Sequence, residues 1–277
     1  MRYSALLFLS LTAVACAAPD AAASSGGTIW ATPHDSYSSS VGVLGCKIDT
    51  NRVAYWPDSV DCNNICVSLT YEGRSVNLLR IDQSGGAHDI SYDAWNYLYT
   101  GSSATLKPTA GGAIAMNYSN VEASACASLI YTHNNKLPLS ASNSMNFLAS
   151  CLSQADSWVS KNYVLYNILD AVCSWGYDEQ CTLNWPTNNQ ATCAHSLGMP
   201  VALTSDPVYN IEYPTGKLAL ASSSPSGQSP QPPSSVVTSA ENKDGKSGGT
   251  IQRPNSQWLM ALMIASNLVL CLLLYRF

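Results

Sequence analysis

Cysteine is the residue type whose number and spacing point most directly to chemistry in this chain of 277 residues. The chain has ten cysteines, and two of them, Cys16 and Cys271, stand in terminal segments with the composition of sorting signals. The number that remains is even, which in an oxidising compartment indicates disulfides throughout the folded part. The cysteines predicted to pair are Cys46, Cys62, Cys66, Cys126, Cys151, Cys173, Cys181 and Cys193.

Zinc binding is the alternative chemistry for these cysteines, because the spacing of Cys62 and Cys66 is one that zinc ligands tolerate. No matching pair of Cys or His follows at zinc-finger distance, and secretion favours disulfides. The sequence therefore predicts four disulfides and no metal site. The spacing does not choose their pairing, although the distribution suggests one group over 46–126 and a second over 151–193.

Motifs of other common enzyme classes are missing from the sequence. The turn Gly-x-Ser-x-Gly, which exposes a nucleophilic serine, does not occur. His34, His133 and His195 are scattered without the paired spacing that a catalytic metal needs, and no Gly-rich phosphate loop is present. We therefore predict no cofactor.

The composition narrows the choice of partner. Only 11% of the residues are charged, where a typical soluble domain has about a quarter. The net charge of −5 leaves no basic face for a phosphate backbone, so nucleic-acid binding is excluded. A cytosolic enzyme and a coiled coil are also poor fits to this composition. A surface with few charges favours a neutral glycan over an anionic ligand.

The N-terminus has the pattern of a secretory signal peptide over residues 1–17. Met1-Arg2 precedes the apolar stretch Ala5–Leu9, and Ala15-Cys16-Ala17 fits the small-residue cleavage pattern. The alternatives are a membrane anchor or a first core helix, but the apolar stretch is too short to span a bilayer.

The C-terminus has the pattern of a signal for attaching a glycosylphosphatidylinositol (GPI) lipid. The apolar run Trp258–Tyr275 follows the polar spacer Thr250–Gln257, and the small residues Ser247-Gly248-Gly249 precede that spacer. Such a signal predicts that residues 248–277 are a propeptide and that the mature protein is held in the outer leaflet of the plasma membrane.

Ser247 is the predicted attachment residue, with Gly248 and Asp244 as possible substitutes. The competing interpretation of the apolar run is a permanent transmembrane helix. A stop-transfer helix usually carries several basic residues on its cytoplasmic side, whereas Arg276 stands alone near the terminus.

A stalk is predicted over residues 218–247. Its segment Ala221–Ser239 is dominated by Ser and Pro and has no aromatic residue, so it cannot bury enough surface to fold. Such tracts are typical of O-glycosylated stalks, and Asn117 begins the only N-glycosylation sequon. The stalk would hold a glycosylated domain away from the membrane.

The hydrophobic period changes along the part between the signal and the stalk. Short strand-like runs separated by turns occur at Val67–Thr70, Val76–Ile81 and Ala113–Tyr118. Beyond residue 140, apolar residues recur at helical spacing over 145–159 and again over 165–172. The predicted fold class is α+β, with a β domain over 41–130 and a disulfide-tied, mainly helical extension over 131–217.

Several segments of the β domain occur in a recognisable order. They are the cysteine pair that leads into a strand (Cys62–Leu69), a turn (Tyr71–Val76), an Asp-ended strand with a glycine-bearing loop (Arg80–Ser91), a segment with an aromatic near its middle, where the family that these segments resemble has a short helix (Asp93–Leu98), and a closing strand with its cysteine (Gly111–Cys126). In this order they resemble the double-psi β-barrel of the barwin and expansin superfamily. The resemblance implies a six-stranded barrel over 41–130.

The sequence departs from that superfamily in places. Ser84 stands where a cysteine is usual, so one family disulfide is absent or rerouted, and His88 replaces a phenylalanine. The second domain of expansins is not recognisable in 131–217, so the resemblance says nothing about this extension.

The resemblance implies a groove that binds extended polysaccharide. Asp89 matches the aspartate on the groove floor, and Asp82 and His88 lie in the same segment. Asp82 has an alternative role of tying loops together, and His88 one of bonding a neighbour. The aromatic candidates for sugar contacts, with core packing as their alternative, are Tyr55, Trp56 and Trp95.

Two chemistries are open to such a groove. Inverting hydrolysis needs a carboxylic acid and a carboxylate base on opposite sides of the bond. The resemblance offers Asp89 as the acid and Asp58 as the base, with Asp61 as the next choice because Pro57 offsets Asp58. Expansins instead keep the acid, lack a working base, and loosen polysaccharide without cleaving it.

The prediction that follows is a GPI-anchored surface protein of fungal cell-wall type. Its barrel would bind or loosen neutral, glucan-type wall polysaccharide without cleavage. The alternatives are an inverting glycoside hydrolase of endoglucanase kind and a structural or adhesive wall protein.

Overall fold

A computed structural model describes residues 26–222. The predicted signal peptide, Ser247 and the propeptide 248–277 lie outside the described residues, as does most of the predicted stalk. Within 26–222, no helix is both long and apolar enough to cross a bilayer.

The N-terminal part is a closed barrel of six strands. The strands are β1 (Gly26–His34), β2 (Val53–Trp56), β3 (Cys66–Tyr71), β4 (Arg74–Gln83), β5 (His88–Ser91) and β6 (Ile114–Asn120). Their order around the barrel is β1-β5-β2-β4-β3-β6, with β1–β5 and β2–β4 parallel and the other pairs antiparallel. The predicted α+β class and the six-stranded barrel are confirmed.

The barrel begins at Gly26, before the predicted boundary at residue 41. The first strand escaped the sequence prediction because only Ile29 and Ala31 are buried among its residues, which is too short an alternation to stand out. β1 is nevertheless essential to the fold, since it pairs with β5 on one side and β6 on the other.

The turn between β3 and β4 follows directly from its sequence. Glu72 and Gly73 form a two-residue loop with φ of 45° and 78°, and Tyr71 pairs with Arg74 across it. Positive φ at both loop positions matches the right-handed twist of the strands, which is why such a loop joins a hairpin.

The barrel interior is closed by a helix. The inward residues are Ile29, Ala31, Ala54, Val67, Leu69, Leu78, Ile90 and Met116. The helix α1 (Tyr92–Thr100) adds Trp95 and Leu98, both fully buried, and ends at Gly101 in the left-handed conformation. The short helix predicted at Asp93–Leu98 is therefore confirmed.

A second core lies between the barrel and the extension. Val53, Tyr55, Leu79 and Ile81 on β2 and β4 belong to one buried cluster with residues of the extension. Those residues of the extension include Leu137, Leu139, Leu148, Leu165 and Ile168. The extension thus covers one outer side of the barrel.

The extension itself is built on a sheet. Its strands β7 (Leu137–Ser140), β8 (Tyr163–Ile168) and β9 (Gly176–Cys181) lie in the order β7-β8-β9, and β10 (Tyr209–Ile211) pairs with β11 (Leu218–Leu220). The helices are α2 (Met145–Leu152) and α3 (Trp158–Lys161). Short 3-10 turns lie at Gly45–Lys47, Thr50–Arg52, Ala123–Leu129 and His133–Asn135.

The prediction of a mainly helical extension is wrong. The first helical pattern corresponds to α2 and α3, but the second falls on the strand β8. In that strand Leu165 and every residue through Ile168 are buried, so both faces are covered. A strand buried on both faces is a short continuous apolar run, which periodicity cannot separate from a helix.

The folded part also reaches further than predicted at its C-terminal end. Residues 218–220 form β11, and Ala221 is buried, although both lie within the predicted stalk 218–247. β11 is a strand because its backbone pairs with β10, from Tyr209 opposite Leu220 to Ile211 opposite Leu218.

The described cysteines form four disulfides, so their predicted pairing into bridges is confirmed. The bridges are Cys46–Cys173, Cys62–Cys151, Cys66–Cys126 and Cys181–Cys193. The predicted division into two separate groups is wrong, because the first two bridges join the barrel region to the extension. Packing of the extension on the barrel brings those Cα atoms to 6.1 and 5.4 Å.

Candidate functional site

Strand register aligns polar residues from four neighbouring strands. Asp82 on β4 is level with Tyr55 on β2, Tyr55 with Asp89 on β5, and Asp89 with Thr32 on β1. Thr32 Oγ donates a hydrogen bond to a carboxylate oxygen of Asp89. His34 lies further along β1, with its ring centroid 4.5 Å from that of Tyr55. The barrel therefore brings together Asp82, Asp89 and Tyr55 as a row.

Asp82 serves the fold at one end of this row. Asp82 is 6% exposed, and its carboxylate accepts hydrogen bonds from Ser38 Oγ at 2.5 Å, Ser40 N at 2.7 Å and Gln83 N at 2.8 Å. These bonds tie the loop that follows β1 to the end of β4. The geometry matches the loop-tying alternative for Asp82 and leaves its oxygens little opening towards a polymer.

The aromatic residues predicted to contact sugars are buried. Tyr55 and Trp56 are each 3% exposed, and Trp95 is fully buried inside the barrel. The edge of Trp56 is covered by His88 and Tyr118, at centroid distances of 5.1 and 5.8 Å. The prediction that these rings present faces to a sugar is wrong, because each fills a core.

Burial also acts on the tyrosine hydroxyl groups beside Asp82. It raises the pKa of Tyr55 far above its usual value, and the negative charge of Asp82 adds to that effect. The pKa of Tyr37 is raised by burial as well, with contributions from Tyr55 and Asp82. Both hydroxyls stay protonated; Tyr37 donates to the carbonyl oxygen of Val43 and Tyr55 to that of Ser36.

The paired carboxylates proposed for hydrolysis differ in their surroundings. Asp89 is half-buried and held by Thr32, whereas the Asp58 side chain is 84% exposed and lies 4.0 Å from the Arg80 guanidinium. Asp61, the other choice for a base, is exposed and accepts the backbone N–H groups of Asn63 and Asn64.

Charges of both signs act on His88. Burial lowers its pKa, while the carboxylates of Asp58 and Asp89 both act to raise it and Arg80 to lower it. The carboxylates of Asp58 and Asp89 are thus each within electrostatic reach of His88. Asp61 lies in a separate turn with Asn63 and Asn64.

The sequence prediction missed the most exposed aromatic residue of the barrel. Trp30 on β1 is 66% exposed, and it is opposite Ala115 of β6, whose side chain is too small to cover an indole ring. Side chains two apart on a strand share a face, so Trp30 lies on the same side as Thr32, about 6.6 Å away along the strand. No periodic signal in the sequence marks Trp30, because the alternation of Ile29 and Ala31 around it is too short to stand out.

We call Trp30, Thr32, His34 and Asp89 the β1 face. It combines an open indole ring with a hydroxyl, an imidazole and a carboxylate. A sugar ring likewise has an apolar C–H face and hydrogen-bonding hydroxyl groups, so the two surfaces are complementary. The adjacent cleft, lined by His34, Tyr55, Asn210 and neighbours, has room of about 10 Å³. That is space for one water at most, so a polymer would have to lie on the open face.

Residues 26–222 contain no cluster of metal ligands. No group of His, Cys, Asp and Glu among those residues has an arrangement that could hold a metal ion. The described cysteines are bound in disulfides instead.

Residues 10–129 match the family model of cerato-platanin. That family has a double-psi β-barrel and is expansin-like, so the resemblance of residues 41–130 to the barwin and expansin superfamily is confirmed. The match contains all six barrel strands and ends before the extension begins.

Cerato-platanins are secreted, cell-wall-associated proteins that bind carbohydrates such as chitin and glucans and are not enzymes. No curated protein and no solved structure matches the chain.

Proposed function

We propose that the barrel binds neutral wall polysaccharide on its β1 face and does not cleave it. The observation that carries the proposal is the exposed indole of Trp30 beside the half-buried pair Thr32 and Asp89. The similarity of residues 10–129 to cerato-platanins supports it, since carbohydrate binding without catalysis is what that family does.

The chemistry of the β1 face fits a neutral ligand. The indole offers an apolar surface on which the C–H face of a pyranose ring packs, and desolvated aromatic contacts dominate many binding energies. Thr32 holds the Asp89 carboxylate in a defined orientation, from which it accepts hydrogen bonds from sugar hydroxyls.

Retention on insoluble polymers tests this proposal. The purified protein is mixed separately with insoluble β-glucan, chitin and cellulose, and the bound fraction is measured for the native chain and for Trp30→Ala. We expect retention on at least one polymer and an apparent Kd about tenfold weaker in the variant. The matched control is Tyr131→Ala, because Tyr131 is 63% exposed and lies outside the barrel strands.

The same experiment separates the alternatives. Absence of retention on all three polymers would favour a structural or adhesive wall protein, and equal losses in Trp30→Ala and Tyr131→Ala would remove the β1 face from the proposal.

Inverting hydrolysis is the second candidate, and one observation favours it. Asp58 and Asp89 each act on the pKa of His88, so both carboxylates are near one titratable ring. Release of reducing ends from soluble β-glucan tests it. Release that disappears in both Asp58→Asn and Asp89→Asn would replace non-catalytic binding by hydrolysis, whereas no release supports the first proposal.

We also propose that a GPI lipid at Ser247 holds the protein on the outer face of the plasma membrane. The supporting pattern is the small residues, spacer and apolar tail at the C-terminus. Treatment of intact cells with phosphatidylinositol-specific phospholipase C should release the protein into the medium. Protein that stays with the membrane after treatment would indicate a transmembrane tail.

A further inference from the structure

The sheet of the extension brings several chain segments to one edge. β7 and β8 run parallel, with Leu137 level with Tyr163, so the residues before each strand lie side by side. β9 is antiparallel to β8, with Cys181 level with Leu165, so its last residues reach the same edge. These segments enclose a groove of about 500 Å³. Ligand pockets of proteins are commonly about 300–1,000 Å³.

The charge of this groove is opposite to that of the protein. The chain has a net charge of −5, yet Lys136 and Lys161 line the groove, and none of its described lining residues is Asp or Glu. Cations gathered in a concave site focus the field on whatever enters it. The groove therefore selects negative charge, although the molecule as a whole repels it.

The lysines of the groove are available for a ligand. Within residues 26–222 the ammonium of Lys136 has no carboxylate partner. Lys161 lies 3.0 Å from Asp156, but both side chains are largely exposed, and such a surface pair contributes little. An incoming anion can replace Asp156 at small cost.

The remaining walls of the groove suit a sugar ring. The half-buried Tyr163 supplies aromatic surface, and Thr132 and Gln180 supply a hydroxyl and an amide. The Tyr163 hydroxyl is a hydrogen-bond donor at neutral pH, and burial raises its pKa further from that range. A bare inorganic anion would leave these groups unused, whereas an acidic sugar would contact both the lysines and the Tyr163 ring.

We propose that this groove is a second binding site, specific for a saccharide unit that carries a carboxylate or a phosphate. It lies in the extension, outside the region similar to cerato-platanins, and it is independent of neutral-polymer binding by the β1 face. The protein would then hold a neutral polymer by its barrel and an acidic glycan by its extension.

Calorimetric titration of the full-length protein tests the proposal. The probes are hexagalacturonate, which carries carboxylates, a phosphorylated mannose oligosaccharide, and neutral cellohexaose. We expect at least one anionic probe to bind, with an affinity that falls as salt is raised, and cellohexaose not to compete for it. Binding of one anionic probe alone identifies the carboxylate or the phosphate as the recognised group.

The double variant Lys136→Gln/Lys161→Gln should bind the anionic probe at least about tenfold more weakly, because it loses two charge-assisted contacts. The control is Lys107→Gln/Lys217→Gln, which changes the net charge equally but alters no residue that lines the groove. Trp30→Ala should leave anionic binding unchanged, so failure of the β1-face proposal is distinguishable from failure of this one. No binding of either anionic probe, or equal losses in the two double variants, would overturn the proposal.

Discussion

Thr32 on β1 donates its hydroxyl hydrogen bond to the carboxylate of Asp89 on β5, across a parallel pair of strands that closes the barrel. The two residues are far apart in sequence and become neighbours only because β5 inserts between β1 and β2. Their contact places an oriented carboxylate on the same face as the exposed Trp30.

Removing that donor should weaken polysaccharide binding. Thr32→Val keeps the shape of the side chain and leaves the Asp89 carboxylate free to rotate. We expect the binding free energy to fall by about 1 kcal/mol, which is roughly a fivefold higher Kd. Retention on the polymer that the native protein binds measures this change. Thr28→Val is the control, since Thr28 bonds Asn117 instead. Equal binding by native protein and Thr32→Val would show that the orientation of Asp89 is unimportant.

Asp82 should prove to be a residue of the fold and not of the ligand site. Asp82→Asn loses the charge-assisted bonds from Ser38 and two backbone N–H groups, so we expect the free energy of unfolding to fall by about 2 kcal/mol in urea. Asp61→Asn changes an exposed turn residue and should lower the free energy of unfolding by less than about 1 kcal/mol. A folded Asp82→Asn variant that no longer binds polymer would reverse this assignment.

The Glu179 carboxylate should make stability depend on acid pH. The backbone N–H of His195, the Asn167 amide and the His195 ring hold its pKa down to about 2. Because the folded pKa is below the unfolded one, its stabilisation is present above about pH 4.5 and is lost as the pH falls towards 2. In unfolding curves between pH 6 and 2, Glu179→Gln should flatten this dependence. The control Glu212→Gln should leave the slope unchanged.

The disulfides that close a long and a short loop should differ in their contribution to stability. Cys62–Cys151 closes a loop with a sequence separation of 89, whereas Cys181–Cys193 closes one of 12. Loop-closure entropy predicts that the free energy of unfolding falls by about 4–5 kcal/mol in Cys62→Ser/Cys151→Ser and by about 3 kcal/mol in Cys181→Ser/Cys193→Ser. Guanidinium unfolding of the two double variants measures the difference. A larger loss from the short loop would show that strain or residual structure outweighs chain entropy.

A glycan at Asn117 should restrict access to Trp30. Asn117 is exposed on β6 and is level with Thr28, next to the pair formed by Trp30 and Ala115. If the sequon is used, enzymatic removal of the N-glycan should increase retention on polymer. The variant Asn117→Gln should behave like the deglycosylated protein, and unchanged retention in both would show that the glycan points away from the β1 face.

The sequence by itself determined the local features of this protein. Short alternating runs and the turn Glu72-Gly73 specify a hairpin, because these depend on neighbours in the chain, and the superfamily resemblance implied the helix at Asp93–Leu98. The even number of cysteines likewise predicted that all would be bridged. The order of segments was enough to indicate the superfamily of the barrel.

Only the tertiary structure decided which residues meet and which face the solvent. Pairing of Cys62 with Cys151, and the row from Thr32 to Asp82, depend on contacts between distant segments that no local period encodes. Exposure is a property of packing: Trp95 and Trp30 are the same residue type, yet one fills the barrel and the other stands opposite an alanine. The cationic groove of the extension exists because parallel β7 and β8 place Lys136 and Lys161 at one edge, a neighbourhood that the sequence alone does not contain.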